Sequence, residues 1–318
     1  MSQQGVSSGE LAVSEKYRGL LAAINAVKEE CRHVAVQFEK YPTLAVSRLE
    51  RLFGPPVPTK DMVVVPPQGA VFRAAMRTLL ASFIAERYIM AKDGIYKHVT
   101  VSIVGPGGSG KTTYAVYSGG GALSLVGVSR AYSILKRYVF FEPYTFVIYV
   151  KKLIERRRWV PFLILDDVGT NISKYWLWLK ERHWHYLFSI LDTIKDWSGV
   201  LVLTSRSFSS IPARMRELSD IVVEAKESIV HGAVVTLLKY YLYDDYIEGG
   251  DPHYIDVWHP YAKMPENIWN EMIEARRKHG RERLERFMKE IGLSEGEEGE
   301  EGGAGEEDVE SGDGGDSS

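Results

Sequence analysis

Residues 99–113 read VTVSIVGPGGSGKTT, an apolar, β-branched run followed directly by a glycine-rich loop of the form G-x-x-x-x-G-K-[ST]. Such a loop turns its backbone N–H groups toward phosphate oxygens, and glycine is needed wherever a Cβ atom would fill that space. The run predicts a buried parallel strand. Because a strand precedes the loop and a helix is expected after it, a phosphate site is favoured over a simple turn, and the sequence predicts binding of ATP or GTP with magnesium.

The residues of this loop have separate expected roles. Lys111 brings a positive charge to the outer phosphates, and the Thr112 hydroxyl is a magnesium ligand. A helix that begins near Gly110 adds the positive end of its dipole, and we expect it to continue from Thr112 until the glycines at 119–121 end it. The predicted nucleotide-binding residues are Gly105, Pro106, Gly107, Gly108, Ser109, Gly110, Lys111, Thr112 and Thr113.

Two further apolar runs end in polar residues. The run at 162–165 is followed by Asp166 and Asp167, and the run at 200–203 by Thr204 and Ser205. At the carboxyl edge of a parallel sheet, Asp166 would hold magnesium through its water shell and Asp167 would orient or deprotonate the attacking water.

The second run leaves two interpretations open. Thr204 or Ser205 contacts the γ-phosphate or holds the water, or else these residues only begin a turn. An acidic strand and a polar-tipped strand, separated from the loop by a further strand and helix, are typical of the additional-strand class of ATPases rather than of a small-molecule kinase. The fold class predicted is α/β, a P-loop NTPase whose central, mainly parallel sheet is flanked by helices.

The trio formed by the loop, LDDVG at 165–169 and LTSR at 203–206 resembles the AAA+ helicase-loader group, which includes replication-initiator-like ATPases. The resemblance covers about residues 95–225 and implies an oligomeric ATP switch that acts on single-stranded DNA or on a replicative helicase. It also implies a catalytic arginine finger at Arg214 or Arg216. The alternative for both is a solvated arginine near a helix N-terminus. The aromatic insertion after Gly169, and the lack of a downstream G-x-x-R, depart from the family pattern.

We expect four regions along the chain. They are a helical N-terminal segment with a flexible start and a Pro-rich linker (1–67), a P-loop ATPase domain (68–245), a basic and aromatic extension (246–293), and a disordered acidic tail (294–318). Helices are expected from Ser14 onward, over 43–54 with Arg48 and Arg51 facing outward, over 70–91, and from Glu142-Pro143 onward after a strand at 138–141.

Charge is divided unevenly between these regions. The tail carries eleven of the 42 acidic residues, so the remaining 31 face 39 Lys and Arg, and the body has a formal charge of about +8. This favours a polyanionic partner such as nucleic acid, or else describes a solvated basic surface. Arg156–Arg158 are interpreted as nucleic-acid contacts or as cations closing a helix. The tryptophans of residues 174–185 are interpreted as base-stacking platforms or as core, and the basic helix around Arg276 is left unassigned.

The remaining features bear on compartment and function. A single Cys31 favours a reducing compartment, and no apolar run reaches the length of a membrane span, so a cytoplasmic protein without membrane contact is expected. Four Asn, four Gln and dense charge resemble thermophile composition. The sequence therefore predicts a homo-oligomeric ATPase with ATP and Mg²⁺, acting in DNA replication or processing. A DNA-packaging or conjugation motor and a nucleotide-dependent regulatory switch are the alternatives.

Overall fold

The computed structural model describes residues 15–41, 43–53, 57–58, 64–65, 76–172, 188–230, 233–258 and 266–290. The predicted flexible start, the aromatic residues of the insertion at 174–185 and the acidic tail at 294–318 lie outside these ranges. The chain divides into two compact units, Met1–Ala275 and Arg276–Ser318. Of the second unit, the structure describes helical residues 276–290.

The centre of the first unit is a seven-stranded sheet with the strand order β4–β5–β6–β3–β7–β8–β9. Neighbours from β4 to β7 run parallel, whereas β8 and β9 are added antiparallel. The mainly parallel α/β sheet predicted from the sequence is thus confirmed. Its strands are β3 (Val99–Val104), β4 (Val139–Phe140), β5 (Val160–Leu165), β6 (Ser198–Ser205), β7 (Ile221–Val230), β8 (Ala233–Leu242) and β9 (Tyr254–Trp258). A separate two-stranded ribbon pairs β1 (Val57–Pro58) with β2 (Val64–Val65).

Strand β6 lies between the strand that leads into the glycine-rich loop, β3, and the acidic strand, β5. Val202 of β6 pairs with Val101 on one side and with Ile164 on the other. Every residue of β3, β5 and β6 is buried, which explains why these strands are mainly apolar in the sequence, with Thr100 and Ser102 as buried polar exceptions in β3. Since all three run in the same direction, their polar ends meet at one edge of the sheet.

Helices pack with the strands in two clusters of buried apolar side chains. Their positions confirm the helices predicted over 43–54 and after Glu142, and the first helix begins one residue after Ser14. They are α1 (Glu15–Gln37), α2 (Thr43–Phe53), α3 (Leu79–Lys92), α4 (Lys111–Leu125), α5 (Ala131–Leu135), α6 (Pro143–Glu155), α7 (Val168–Asn171), α8 (Ala213–Glu217), α9 (Tyr243–Glu248) and α10 (Glu266–Glu290). None of these described helices is both long and apolar enough to cross a membrane.

Helix α4 corrects the prediction that the glycines at 119–121 end it, because it continues to Leu125. The reason lies in packing rather than in local preference. A Cβ atom at Gly119 would stand 2.7 Å from the Phe162 ring, and one at Gly120 would stand 2.4 Å from the Tyr132 ring. The glycines therefore let the helix approach the sheet and its neighbouring helix closely, which outweighs their poor helix propensity.

Arg48 corrects the prediction that it faces solvent, since its side chain is 1% exposed. It forms an ion pair with Asp256 of β9, at 2.8 Å, and another with Glu30 of α1, at 3.1 Å. Arg48 therefore joins α1 and α2 to a strand that lies beyond residue 245. Helices α1 and α2 contact β9, and β9 extends the sheet by pairing with β8 through residues 236–240.

Candidate nucleotide-binding site

The glycine-rich loop connects β3 to α4 with a backbone that only glycine adopts easily. Gly108 and Gly110 have φ angles of 82° and 79°, in the left-handed region. Gly105 lies against β7, where an added Cβ atom would stand 2.1 Å from the carbonyl oxygen of Ala225. Gly108 and Gly110 are thus required by their backbone conformation, and Gly105 is required by its close approach to β7.

Neighbouring strands hold the loop in place. The Gly105 N–H donates to the carbonyl of Ser205 on β6, at 3.2 Å. From β8, the buried Thr236 hydroxyl donates to the carbonyl of Ser109, at 3.0 Å. The sequence analysis did not identify Thr236, because a threonine in an antiparallel strand carries no local signal of contact with a loop 127 residues earlier.

Lys111 folds back onto its own loop. Its ammonium group donates to the carbonyl oxygens of Gly105 and Pro106, at 2.7 and 2.6 Å, and to the Ser109 hydroxyl, at 3.3 Å. In a phosphate-binding loop the lysine ammonium group contacts the outer phosphates instead. A bound triphosphate can therefore replace neutral acceptors with charged ones at this ammonium group, which strengthens the hydrogen bonds.

Asp166 is the centre of the hydrogen bonds at this edge of the sheet. Its Oδ1 atom accepts from the Thr112 hydroxyl of α4 and from the Thr204 hydroxyl of β6, both at 2.6 Å, and the residue is 1% exposed. A threonine hydroxyl next to a carboxylate is a donor set that suits magnesium, a cation that prefers oxygen ligands and retains several waters. The residues predicted to hold the metal, Thr112 and Asp166, are thus brought together.

Asp167 and Thr204 are also joined. The Asp167 backbone has φ 50° and ψ 47°, and its N–H donates to the Thr204 hydroxyl, at 2.8 Å. Its carboxylate accepts from the Thr170 hydroxyl, at 2.9 Å, and is less buried than that of Asp166. The Thr204 hydroxyl thus lies between the two aspartates, and its contact with phosphate or water stays a prediction.

The two arginines proposed as fingers are separate from this cluster. Arg214 is about half exposed and forms ion pairs with Asp192, at 3.2 Å, and with Glu217, at 3.6 Å. The Arg216 guanidinium lies over the Phe208 ring, at 5.9 Å. In the described contacts of one chain, neither arginine touches the loop or the aspartates.

A second polar cluster, which the sequence did not predict, lies behind α4 and is fully buried. The Tyr114 hydroxyl donates to Asp256 Oδ2, at 2.7 Å, and the Leu79 N–H donates to the same atom, at 2.8 Å. Burial, together with the Asp256 carboxylate, raises the pKa of Tyr114 well above its usual range. Burial alone would lower the pKa of Arg48, but the Asp256 carboxylate raises it above the ordinary value. This cluster fastens α2, α3 and β9 to the helix that follows the loop.

A glycine-rich loop between a strand and a helix, with an acidic strand two positions away in a parallel sheet, defines the P-loop nucleoside-triphosphatase fold. The chain has this fold. Its class rests on the loop, on the strand order and on the meeting of Thr112 with Asp166.

Comparison with known proteins adds few details. No protein-family model matches the chain. Uncharacterized protein B-251 of Sulfolobus spindle-shape virus 1 is 24% identical over 206 residues, which span 58% of this chain and 75% of that protein. Flagellar accessory protein FlaH of Methanocaldococcus jannaschii aligns over 52% of this chain and 86% of its own, with 13% identity and a TM-score of 0.31. PCH-2 of C. elegans aligns over 50% and 43%, with 18% identity and a TM-score of 0.29.

Proposed function

We propose that the chain is an ATP-binding and ATP-hydrolysing enzyme that uses Mg²⁺. The observation that carries this proposal is the 2.6 Å contact between the Thr112 hydroxyl and Asp166 Oδ1, in the first turn of the helix that begins at Lys111. Two elements far apart in sequence bring these oxygens together beside the phosphate loop. A structural turn at the end of β5 would not require a hydroxyl from that loop.

The residues divide the work of hydrolysis among them. Lys111 and the backbone N–H groups of the loop bind the phosphates and stabilise the negative charge that develops during in-line attack by water. Asp167 orients or deprotonates that water. Thr204 acts as a positioning residue, because its hydroxyl fixes Asp166 and the Asp167 backbone together. Magnesium, bound beside Thr112 and Asp166, would neutralise charge on the outer phosphates.

The test is phosphate release from ATP by the full chain, with and without Mg²⁺, alongside binding of a fluorescent ATP analogue. We expect Lys111→Ala to weaken nucleotide binding and to lower hydrolysis by about 10²–10³-fold. We expect Asp167→Asn to lower hydrolysis by about 10²–10⁴-fold and to leave binding nearly unchanged. If the folded wild-type chain fails to bind any nucleoside triphosphate with Mg²⁺, the proposal is wrong.

We further propose that this activity serves DNA replication or processing, in the manner of a helicase loader. The basic body of the chain supports a polyanionic partner. Phosphate release measured with and without single-stranded DNA tests the role, and we expect stimulation. An unchanged rate would favour a nucleotide-dependent switch instead.

We also propose that the active form is a homo-oligomer in which Arg214 reaches the γ-phosphate of a neighbouring copy. Two features support this role: the Arg214 side chain is about half exposed, and its ion pair with Asp192 can be replaced by a contact with a phosphate. Such a group contributes about 10³-fold or more to hydrolysis. The rate per chain should rise with protein concentration in the wild type and should stay low in Arg214→Ala. If the rate per chain is independent of protein concentration and equal in the wild type and in Arg214→Ala, Arg214 is not an arginine finger.

A further inference from the structure

Cations and aromatic rings collect at the amino edge of the parallel strands, opposite the phosphate loop. Tyr96 and Lys97 precede β3, Arg137 and Tyr138 precede β4, and Arg156–Trp159 precede β5. Because these strands run parallel, the segments that enter them meet at one edge. With a rise of about 3.3 Å per residue, the six residues of β3 separate this edge from the loop by about 20 Å.

The rings of this edge contact one another. The Trp159 ring lies 6.0 Å from the Tyr96 ring and 6.5 Å from the Tyr88 ring, centroid to centroid. The Lys92 ammonium lies 5.3 Å from the centre of Tyr88. Tyr96 is 59% exposed, so one aromatic surface of this group is open to solvent. Isolated apolar residues on a surface need no explanation, but rings joined in this way with a cation form a continuous patch.

Tyr149 of α6 lies next to β4, with its ring centroid 5.1 Å from that of Phe140. Burial, with Tyr138 nearby, raises the pKa of Tyr149 to about 12, and the guanidinium groups of Arg137 and Arg158 oppose the rise. Two positive groups from different segments therefore act on one ring. Arg137 precedes β4 and Arg158 precedes β5, which are neighbouring parallel strands, so both arginines lie at the amino edge with Trp159.

Residues 136–158 carry more cations than acids, and Asp196, which precedes β6, is an exposed acid at the same edge. Residues 136–158 contain seven Lys and Arg against Glu142 and Glu155. Lys136 pairs with Glu271 and Lys151 with Glu155. Within the described part of the chain, the other five cations have no carboxylate within 4 Å: Arg137, Lys152, Arg156, Arg157 and Arg158.

A helix C-terminus attracts cations, and α6 ends at Glu155. That effect falls off within the last turn. It therefore accounts for Arg156 but not for Arg137, which precedes a different strand, nor for the exposed Tyr96. On α10, by contrast, cations stand among acids, and Lys278 lies 3.9 Å from Glu282. The sequence alone presents both segments as basic runs, and the structure distinguishes them.

We propose that the amino-edge face, formed by Lys92, Tyr96, Arg137 and Arg156–Trp159, binds single-stranded nucleic acid. Cations without a carboxylate partner among the described residues suit the phosphate backbone, and the exposed Tyr96 ring suits an unpaired base, which can stack on it. The proposal rests on the DNA role given above and names the surface that would perform it. It does not depend on hydrolysis, because the phosphate loop lies at the opposite edge of the sheet.

The test uses the full chain without nucleotide and a fluorescent oligothymidine, with binding measured by anisotropy over a series of salt concentrations. The variant Arg156→Gln, Arg157→Gln, Arg158→Gln should bind more weakly and should lower the slope of log K against log salt by about 2, since each phosphate contact on a single strand contributes about 0.7. The control Arg277→Gln, Lys278→Gln, Arg281→Gln changes the same charge on α10 and should bind like the wild type.

A second variant separates stacking from charge. Tyr96→Ala should weaken binding by about fivefold or more while the salt slope stays unchanged, because stacking on a ring involves no counterion release. Basal ATP hydrolysis should be the same in the wild type and in all these variants. Circular dichroism and thermal unfolding confirm that each variant is folded.

Several results would overturn the inference. They are equal binding by the Arg156–Arg158 variant and the wild type, an equal loss in the α10 control, a preference for duplex DNA, or binding to phosphatidylserine vesicles in place of the oligonucleotide. If the wild type hydrolyses ATP but binds no oligonucleotide, both the inference and the DNA role fail while the ATPase proposal stands. If it binds the oligonucleotide but hydrolyses nothing, the ATPase proposal fails and the inference stands.

Discussion

Two buried aspartates flank the helix that follows the phosphate loop, and they differ in the groups that surround them. Asp166 and Asp256 are 1% and 0% exposed, and each accepts a hydroxyl hydrogen bond from α4, from Thr112 and Tyr114 respectively. Asp166 also accepts from the Thr204 hydroxyl. Asp256 accepts instead from a guanidinium and from the backbone N–H of Leu79.

The difference indicates that a buried aspartate can be suited to cation binding at one position and to stability of the fold at another. Hydroxyl donors are neutral, so the hydrogen bonds from Thr112 and Thr204 orient the Asp166 carboxylate without cancelling its charge, which remains available to a cation. The Arg48 guanidinium neutralises Asp256 within the core, where an uncompensated charge is costly. The proposed metal site and a structural ion pair therefore both contact α4, through Thr112 and Tyr114 respectively.

Removal of Arg48 should have the largest effect, and it should act on stability. Arg48→Ala leaves Asp256 buried without its guanidinium, which should lower the free energy of unfolding by about 3–5 kcal/mol in urea titrations. Arg51→Ala is the matched control, since Arg51 is exposed and also pairs with Glu30. It should change the free energy by less than about 1 kcal/mol. Equal effects from both variants would contradict the structural role of the buried pair.

Asp166→Asn should have the opposite profile. It removes the charge but keeps an oxygen that accepts from the Thr112 and Thr204 hydroxyls, so we expect stability within about 1 kcal/mol of wild type. Mg²⁺-dependent phosphate release should fall by about 100-fold or more. A large loss of stability, comparable to that of Asp256→Asn, would remove the distinction between the two aspartates.

The hydroxyl groups of two neighbouring tyrosines offer a finer comparison. Tyr114→Phe removes a donor to the Asp256 carboxylate and should lower the free energy of unfolding by about 1.5–3 kcal/mol. The Tyr117 hydroxyl is buried on the same helix and has no hydrogen-bond partner within the described residues. Tyr117→Phe should therefore be neutral or slightly stabilising. Thermal and urea unfolding of the pair measures the difference, and a larger loss in Tyr117→Phe would contradict it.

Thr236→Val should have the smallest effect and should act on the loop. The variant keeps the shape of the side chain but loses the hydrogen bond to Ser109, with an expected cost of about 1 kcal/mol, or about fivefold in nucleotide affinity. Thr236→Ser should restore affinity because it restores the hydroxyl. If Thr236→Val and the wild type bind nucleotide equally, β8 does not position the loop.

The sequence predicted the features whose signals are local. Apolar runs that end in polar residues located β3, β5 and β6, and the spacing of the glycines located the loop, since each depends on neighbours a few residues away. Parallel strands then required Asp166, Thr112 and Thr204 to meet at one edge. The sequence was therefore sufficient to predict the sheet and the meeting of these three side chains.

The features that sequence reasoning missed depend on partners far along the chain. Arg48 fits an amphipathic helix with its charge outside, and its partner Asp256 lies 208 residues away. The low helix propensity of glycine predicts that α4 ends at Gly119, whereas close packing against Phe162 and Tyr132 keeps residues 119–121 helical. Thr236 likewise carries no sign of the loop it contacts. Tertiary contacts reverse local preferences in each case, and a single sequence does not reveal those contacts.

The three consecutive glycines inside α4 have a consequence for assembly of the protein. Each glycine disfavours a helix by about 1 kcal/mol relative to alanine, so residues 119–121 together disfavour it by about 3 kcal/mol. Detached from Phe162 and Tyr132, this segment would unwind, and Lys111 and Thr112 at its first turn would lose their alignment. Binding of a triphosphate should thus require that the strand and helix around α4 are already folded. The amide hydrogens of α4 should exchange at the rate set by unfolding of the whole first unit.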